Sequence, residues 1–278
     1  MLSLFNMLLF RSEPKPKIST ETSELLQSAV WALKAKRYDD MVKNMKAVVE
    51  GGDKLSDMQR ELLNKAYKLK VDEKRFACRV ISKFEQEYEE EGDDVKKRIA
   101  KKYRHEIETE ILSVCAEMVV LLNRYLIPSF VTGEDSDETK VFYLKIKGDF
   151  YRYQADIIND DSRELLIKCA QDAYEEAYHF SQLECNYSEP IYLELCLNYS
   201  LFLKEIADDT VKATEVCQNA WDEAHMEMGY LQITKEQYNE RRTLLQPFRE
   251  NIMLWNPPSE HSSEYETDTD EDNEERNS

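Results

Sequence analysis

Two short cation-bearing stretches have a spacing that points to anion chemistry. In FYLKIKGDFYRYQAD (142–156), Lys145 and Arg152 stand seven residues apart beside three tyrosines. In a helix, that step is nearly two turns along one face. Lys145, Asp149, Arg152, Tyr153 and Asp156 then share a single polar stripe. AYKLKVDEKRFACRV (66–80) repeats the step with Lys68 and Arg75 and adds Arg79 one turn on. Two such helices packed side by side would converge their cations on one anion. Two bidentate guanidiniums, an ammonium and a phenol hydroxyl suit a phosphate dianion better than a carboxylate. The competing account is that each cation pairs with a nearby Asp or Glu of its own helix, and spacing alone favours it.

Catalytic constellations are weaker. DEAH at 222–225 imitates a helicase box, but no GxxxxGK[ST] loop accompanies it to hold a nucleotide. Glu176 and His179 form one ExxH pair, whereas a di-iron bundle needs two such pairs and two further glutamates. The four histidines have no zinc-ligand spacing, and neither a GxSxG elbow nor a papain-like Cys signature is present. The expectation is therefore a non-enzyme without cofactor or metal. A helical-bundle metalloenzyme built on Glu176 and His179 is the rival from another class.

The elements that must position these residues are helices. With 6 glycines and 7 prolines in 278 residues, breakers are too sparse for a turn-rich β fold. Ile107, Ile111, Val114, Cys115, Met118, Val119, Leu122, Tyr125 and Leu126 follow the three-and-four spacing of one apolar helix face. Thr234, followed three residues on by Gln237, opens the last helix as a capping box. Segments between breakers number about nine, none of them a convincing strand. CAQDAYEEAYHF and VCQNAWDEAHMEM resemble each other, but their separation and the lack of a third copy exclude a repeat array.

The net charge is −19. An acidic body argues against general affinity for nucleic acid or anionic membrane while leaving room for one local basic pocket. Six cysteines without CxxC spacing read as small buried hydrophobes, so reduced thiols and a cytoplasmic location are expected, with the nucleus left open. MLSLFNMLLFR, at the start, is too short to span a bilayer. Residues 1–19 are expected to be a disordered or loosely docked arm, and contact of this arm with a membrane is left open. Residues 257–278 form an acidic tail expected to be disordered. Ser263, Thr267 and Thr269 in it each have an acidic residue three positions later, an acidophilic kinase pattern.

KRYDDMVKNMKAVVE, LSDMQRELLNKAYK, RVISKFEQ, YRHEIETEI, FYLKIKGDFYRY and LCLNYSLFLKEI together resemble the 14-3-3 family, in its order and spacing from about Glu24 to Trp255. The resemblance implies an all-α domain over 20–256. Its nine antiparallel helices would form a cup-shaped protomer with a concave amphipathic groove. It also implies a non-enzymatic adaptor for phosphoserine or phosphothreonine peptides of client proteins. By it, Lys68, Arg75, Arg152 and Tyr153 hold the phosphate, and Lys145 lines the same groove. Asn198 and Asn251 grip the peptide main chain, with Glu205 and Trp255 flanking. Leu197, Leu201 and Leu244 form the apolar wall.

The family pairs two protomers through its first four helices. Arg37 and Glu110 match one cross-subunit ion pair. Asp40 matches the acidic member of another, but Glu106 stands where its lysine partner belongs. Trp31 replaces a smaller apolar residue on the same surface. A homodimer or heterodimer with an altered interface is expected.

Other departures fall in the groove. Pro247 and Thr243 stand at apolar groove positions, and so does Lys65. A kink or break of the last helix is expected near Leu244. Cys78 replaces a tryptophan and Asp72 a glycine, with local repacking the expected result. The alternative function is a scaffold of the same fold whose groove takes its own tail or unphosphorylated ligands.

Overall fold

The computed structural model describes residues 20–128, 136–232 and 234–256. The N-terminal arm and the acidic tail, with Ser263, Thr267 and Thr269, lie outside the described residues. Among the described residues there are nine α-helices and no strand. They are α1 (Thr20–Lys34), α2 (Tyr38–Glu50), α3 (Asp57–Glu91), α4 (Asp94–Leu121), α5 (Asp137–Ala155), α6 (Ser162–Glu184), α7 (Pro190–Glu205), α8 (Thr210–Tyr230) and α9 (Lys235–Trp255). A π turn over Leu122–Leu126 prolongs α4. No helix among the described residues is long and apolar enough to cross a membrane.

Local chemistry sets the helix ends. The backbone N–H of Ser56 donates to Gln59 Oε1 at 2.9 Å at the start of α3. Asp93 and Asp209 accept from the backbone N–H of Lys96 and Lys212, each at 3.0 Å, opening α4 and α8. Thr234 and Gln237 form the expected capping box of α9. Gly92 stops α3 at φ 72, a left-handed conformation that glycine adopts without penalty. Pro190 occupies the first turn of α7, where its missing N–H costs no hydrogen bond.

The chain divides into two compact units after Glu184. In the first, each helix from α1 to α6 packs on the next. Met41, Met45, Leu62, Leu63, Tyr67, Ile111, Phe150 and Tyr174 fill its core with almost no exposed surface. A second layer of order is polar: Tyr67 Oη donates to Glu117 at 2.7 Å, and Lys46 Nζ meets the other oxygen of that carboxylate at 2.7 Å. In the second unit, α7, α8 and α9 pack against one another around Tyr192, Leu195, Cys196, Phe202, Leu245 and Phe248.

Of the kink or break expected near Leu244, a break is absent: α9 runs as one helix from Lys235 to Trp255 with Pro247 inside it. Proline removes one N–H and crowds the preceding turn. Leu245 and Phe248, on either side of it, are 1% and 0% exposed. Their burial holds both halves of α9 in place across the missing hydrogen bond.

Candidate functional site

The first unit assembles the cationic cluster from α3 and α5. Tyr67 of α3 meets Phe150 of α5 edge-on, with ring centroids 6.2 Å apart, and fixes the two helices at this level. Two turns along α3, the Arg75 guanidinium lies 5.2 Å from the centre of the Tyr153 ring. Arg152, from α5, lies 4.9 Å from the same ring. Two guanidiniums thus flank one buried tyrosine. Lys68 is exposed on the α3 face that carries Arg75, but roughly 10 Å further along the helix axis. Arg79 is exposed as well.

Charge in the cluster is only partly compensated. Arg75 Nη2 forms an ion pair with Asp156 Oδ2 at 2.8 Å, just past the end of α5. Arg152 is held differently. Burial works against its charge, but Tyr174, Asp149 and Tyr153 outweigh that and raise its pKa. Its Nε is buried and has no hydrogen-bond partner. A buried guanidinium nitrogen without an acceptor is costly and uncommon. Burial first, then Asp149, pushes the Tyr153 hydroxyl up to about 12 against the pull of the two arginines. At neutral pH that hydroxyl is therefore a donor.

Lys145 is 3% exposed, and its Nζ lies 3.8 Å from Asp149 Oδ2. It sits beneath the surface that the stripe was expected to present. Asp149 also accepts a hydrogen bond of 2.5 Å from Tyr174 Oη of α6. Tyr174 is fully buried, and its ring lies where a Cβ on Gly148 would come within 2.8 Å of it. Sequence reasoning did not single out Tyr174. The signal available was Gly148, an isolated glycine inside a helical pattern, which commonly marks a close packing approach.

The remaining candidates of the binding surface lie in the second unit. On α7, Leu197, Asn198 and Leu201 are half-buried and Glu205 is exposed. On α9, Leu244, Asn251 and Trp255 are half-buried. The three leucines differ from Leu195 and Leu203 of the same unit, which are 0% and 1% exposed, so they belong to a partly open apolar surface and not to the core. Burial pushes the Cys217 thiol of α8 up, against a lowering by the nearby Ser200 and Asn251.

On the surface of α1 to α4, Trp31 is 62% exposed. Arg37 pairs with Asp40, one turn on, and Glu110 pairs with Lys74. Glu106 faces Lys102 at 3.9 Å. Within the chain, then, Arg37 and Asp40 satisfy each other. Cys78 is half-buried, and burial pushes its thiol up. Glu176 and His179 are both exposed on α6, and the described residues contain no group of three or more His, Cys, Asp or Glu able to hold a metal.

The described residues define an all-helical class of protein, and comparison with known proteins names the family. The family model of the 14-3-3 protein matches residues 28–256. The chain is 40% identical over 253 residues to the 14-3-3 protein beta/alpha of Xenopus tropicalis, covering 91% of this chain and 100% of that protein. It is also 40% identical over 238 residues to the 14-3-3 protein beta/alpha of Homo sapiens, covering 86% and 94%. The chain belongs to the 14-3-3 family. That membership supports an adaptor or scaffold role without catalysis.

Proposed function

We propose that the protein is a phosphopeptide-binding adaptor that clamps phosphoserine or phosphothreonine segments of client proteins. The observation that carries this reading is the pair Arg75 and Arg152 on Tyr153, with Arg152 Nε buried and unpartnered. A phosphate dianion suits two neighbouring guanidiniums, because charge-assisted bidentate geometry favours it. Lys68, from its exposed position on α3, completes the charge. In this reading Lys145 acts from beneath through Asp149. Asn198 and Asn251 pair with the client's main chain, Glu205 and Trp255 flank it, and Leu197, Leu201 and Leu244 offer apolar contact beyond the phosphate. Dimerisation through α1 to α4 belongs to the same proposal, with Trp31 and the like charges Asp40 and Glu106 altering its strength. Cytoplasmic residence is the location that accompanies it.

The test is binding of a fluorescent phosphoserine peptide, with its dephosphorylated twin as control, to the full chain and to residues 1–256. The expected result is binding of the phosphopeptide alone, abolished by Arg152→Ala. Equal binding of the two peptides refutes the reading. Tighter binding by the shorter chain adds occlusion by the acidic tail.

A further inference from the structure

We propose that Asp72 is a specificity-determining residue of the phosphate site, which turns away client segments that carry acidic residues beside the phosphoresidue. The proposal rests on the phosphopeptide reading and names a class of client within it: phosphoresidues in neutral surroundings, not those embedded in acidic runs.

The position follows from helix geometry. On a helix, residues three and four apart share one face. Asp72 stands four residues after Lys68 and three before Arg75, so it occupies the gap between these two cations of α3. Arg79 and Lys83 continue the same stripe, and among these five residues Asp72 is the acidic member. It is exposed. Its carboxylate forms no ion pair or side-chain hydrogen bond among the described residues. Arg75, the nearest guanidinium along the helix, is taken by Asp156 at 2.8 Å. The charge of Asp72 still reaches α5, where it adds to the effect of burial and Asp149 on the Tyr153 hydroxyl. Tyr153 is the ring on which both guanidiniums lie.

An uncompensated carboxylate in this place acts differently on the phosphate and on its neighbours. The phosphate meets Arg75, Arg152 and Lys68, and these cations outweigh one negative charge. A flanking side chain has no such partner. An extended client advances about 3.3 Å per residue, and side chains at the spacing of Asp72 and Arg75 start about 5–6 Å apart. One or two residues from the phosphoresidue, the client therefore passes Asp72 within the Debye length of about 8 Å at physiological salt. A glutamate or aspartate there is repelled, and a neutral side chain is not.

The chain itself contains the disfavoured kind of ligand. Thr267 and Thr269 stand inside EYETDTDEDNEE (264–275), and Ser263 directly precedes it. A phosphate added to any of them would be flanked by carboxylates. By this argument Asp72 limits competition between a phosphorylated tail and neutral clients for the same cations.

The experiment compares the full chain with Asp72→Asn. Glu73→Gln is the control: it removes the same charge from the adjacent exposed residue, which lies about 100° round the helix. Fluorescence titration uses a phosphoserine peptide with neutral flanks and versions with glutamate one or two positions to either side. A peptide of residues 259–278 phosphorylated at Thr267 completes the set, and every peptide has its dephosphorylated twin. In the parent, glutamate at the most affected position should weaken binding about three- to fivefold, the size of an exposed like-charge contact, and the tail peptide should bind less tightly than the neutral one. Asp72→Asn should shrink the glutamate penalty to less than twofold, whereas Glu73→Gln leaves it as in the parent. A parent without the penalty overturns the proposal, as does a penalty of equal size in Asp72→Asn. An equal relief in Glu73→Gln overturns it too, because net charge and not position would then be responsible. Phosphate dependence is read separately from the twins. Its absence brings down the phosphopeptide reading together with this proposal, while its presence without a glutamate penalty brings down this proposal alone.

Discussion

Replacing Gly148 by alanine is expected to destabilise the protein although it adds helix propensity. The new Cβ would sit 2.8 Å from two atoms of the Tyr174 ring. That ring is fully buried and anchored at its far end by the bond to Asp149, so it has no free direction in which to retreat. Overpacking of this kind typically costs about 1–3 kcal/mol. Alanine in place of glycine in a helix interior returns at most about 1 kcal/mol. The net expectation is a loss of about 1–2 kcal/mol, which in a protein of this size lowers the melting temperature by roughly 3–6 °C. Gly229 supplies the matched control: it lies in the last turn of α8 with no atom within 4 Å of an added Cβ. Gly229→Ala should therefore raise the melting temperature, by about 1–3 °C. Thermal unfolding of the two variants followed by circular dichroism is the assay. A Gly148→Ala protein that melts at or above the parent would refute the close approach of α5 and α6.

Two further outcomes follow from the ion pairs. Asp156→Asn frees Arg75 from its carboxylate, and because part-exposed pairs are worth at most about 1 kcal/mol, phosphopeptide affinity should rise by about two- to fivefold in a fluorescence titration. No change, or a loss, would mean that Arg75 does not meet the phosphate. Glu117 gives a pH signature. Burial raises its pKa, but the hydrogen bonds from Lys46 and Tyr67 outweigh this and hold it below the ordinary 4.5. A carboxyl depressed on folding stabilises fully above its unfolded value and loses that contribution as pH falls through the folded one. Glu117→Gln should thus melt lower than the parent at pH 7, with the gap closing below about pH 4.5. A gap that persists unchanged in acid would show that the carboxylate's charge is not what stabilises.

Much of the fold could be read from the sequence because its determinants are local. The apolar faces and the Thr234 capping box act within a turn of where they stand. Pro247 was harder to read for the opposite reason. Its effect depends on what Leu245 and Phe248 are packed against, which no local rule contains. In the site, the cation spacing was legible and so was the tyrosine beside it. Two things were not. Lys145 is buried in the folded chain, and spacing along one helix cannot say which part of a stripe will be buried. Tyr174 could not be singled out because its partner, Asp149, stands more than twenty residues away in sequence, and Gly148 was the trace of the contact.

Arg75 has one more consequence. It enters any binding event already partnered by Asp156, so capture of an anion there is an exchange and not the filling of a vacancy. The net gain is the difference between two ion pairs. A singly charged carboxylate or a chloride ion trades like for like at Arg75 and gains almost nothing. A dianion that reaches Arg152 and Tyr153 in the same pose does gain, because it engages donors the carboxylate leaves idle. In the proposed binding role, the resting pair would set a selectivity threshold, turning away abundant weak anions by competition from within the protein.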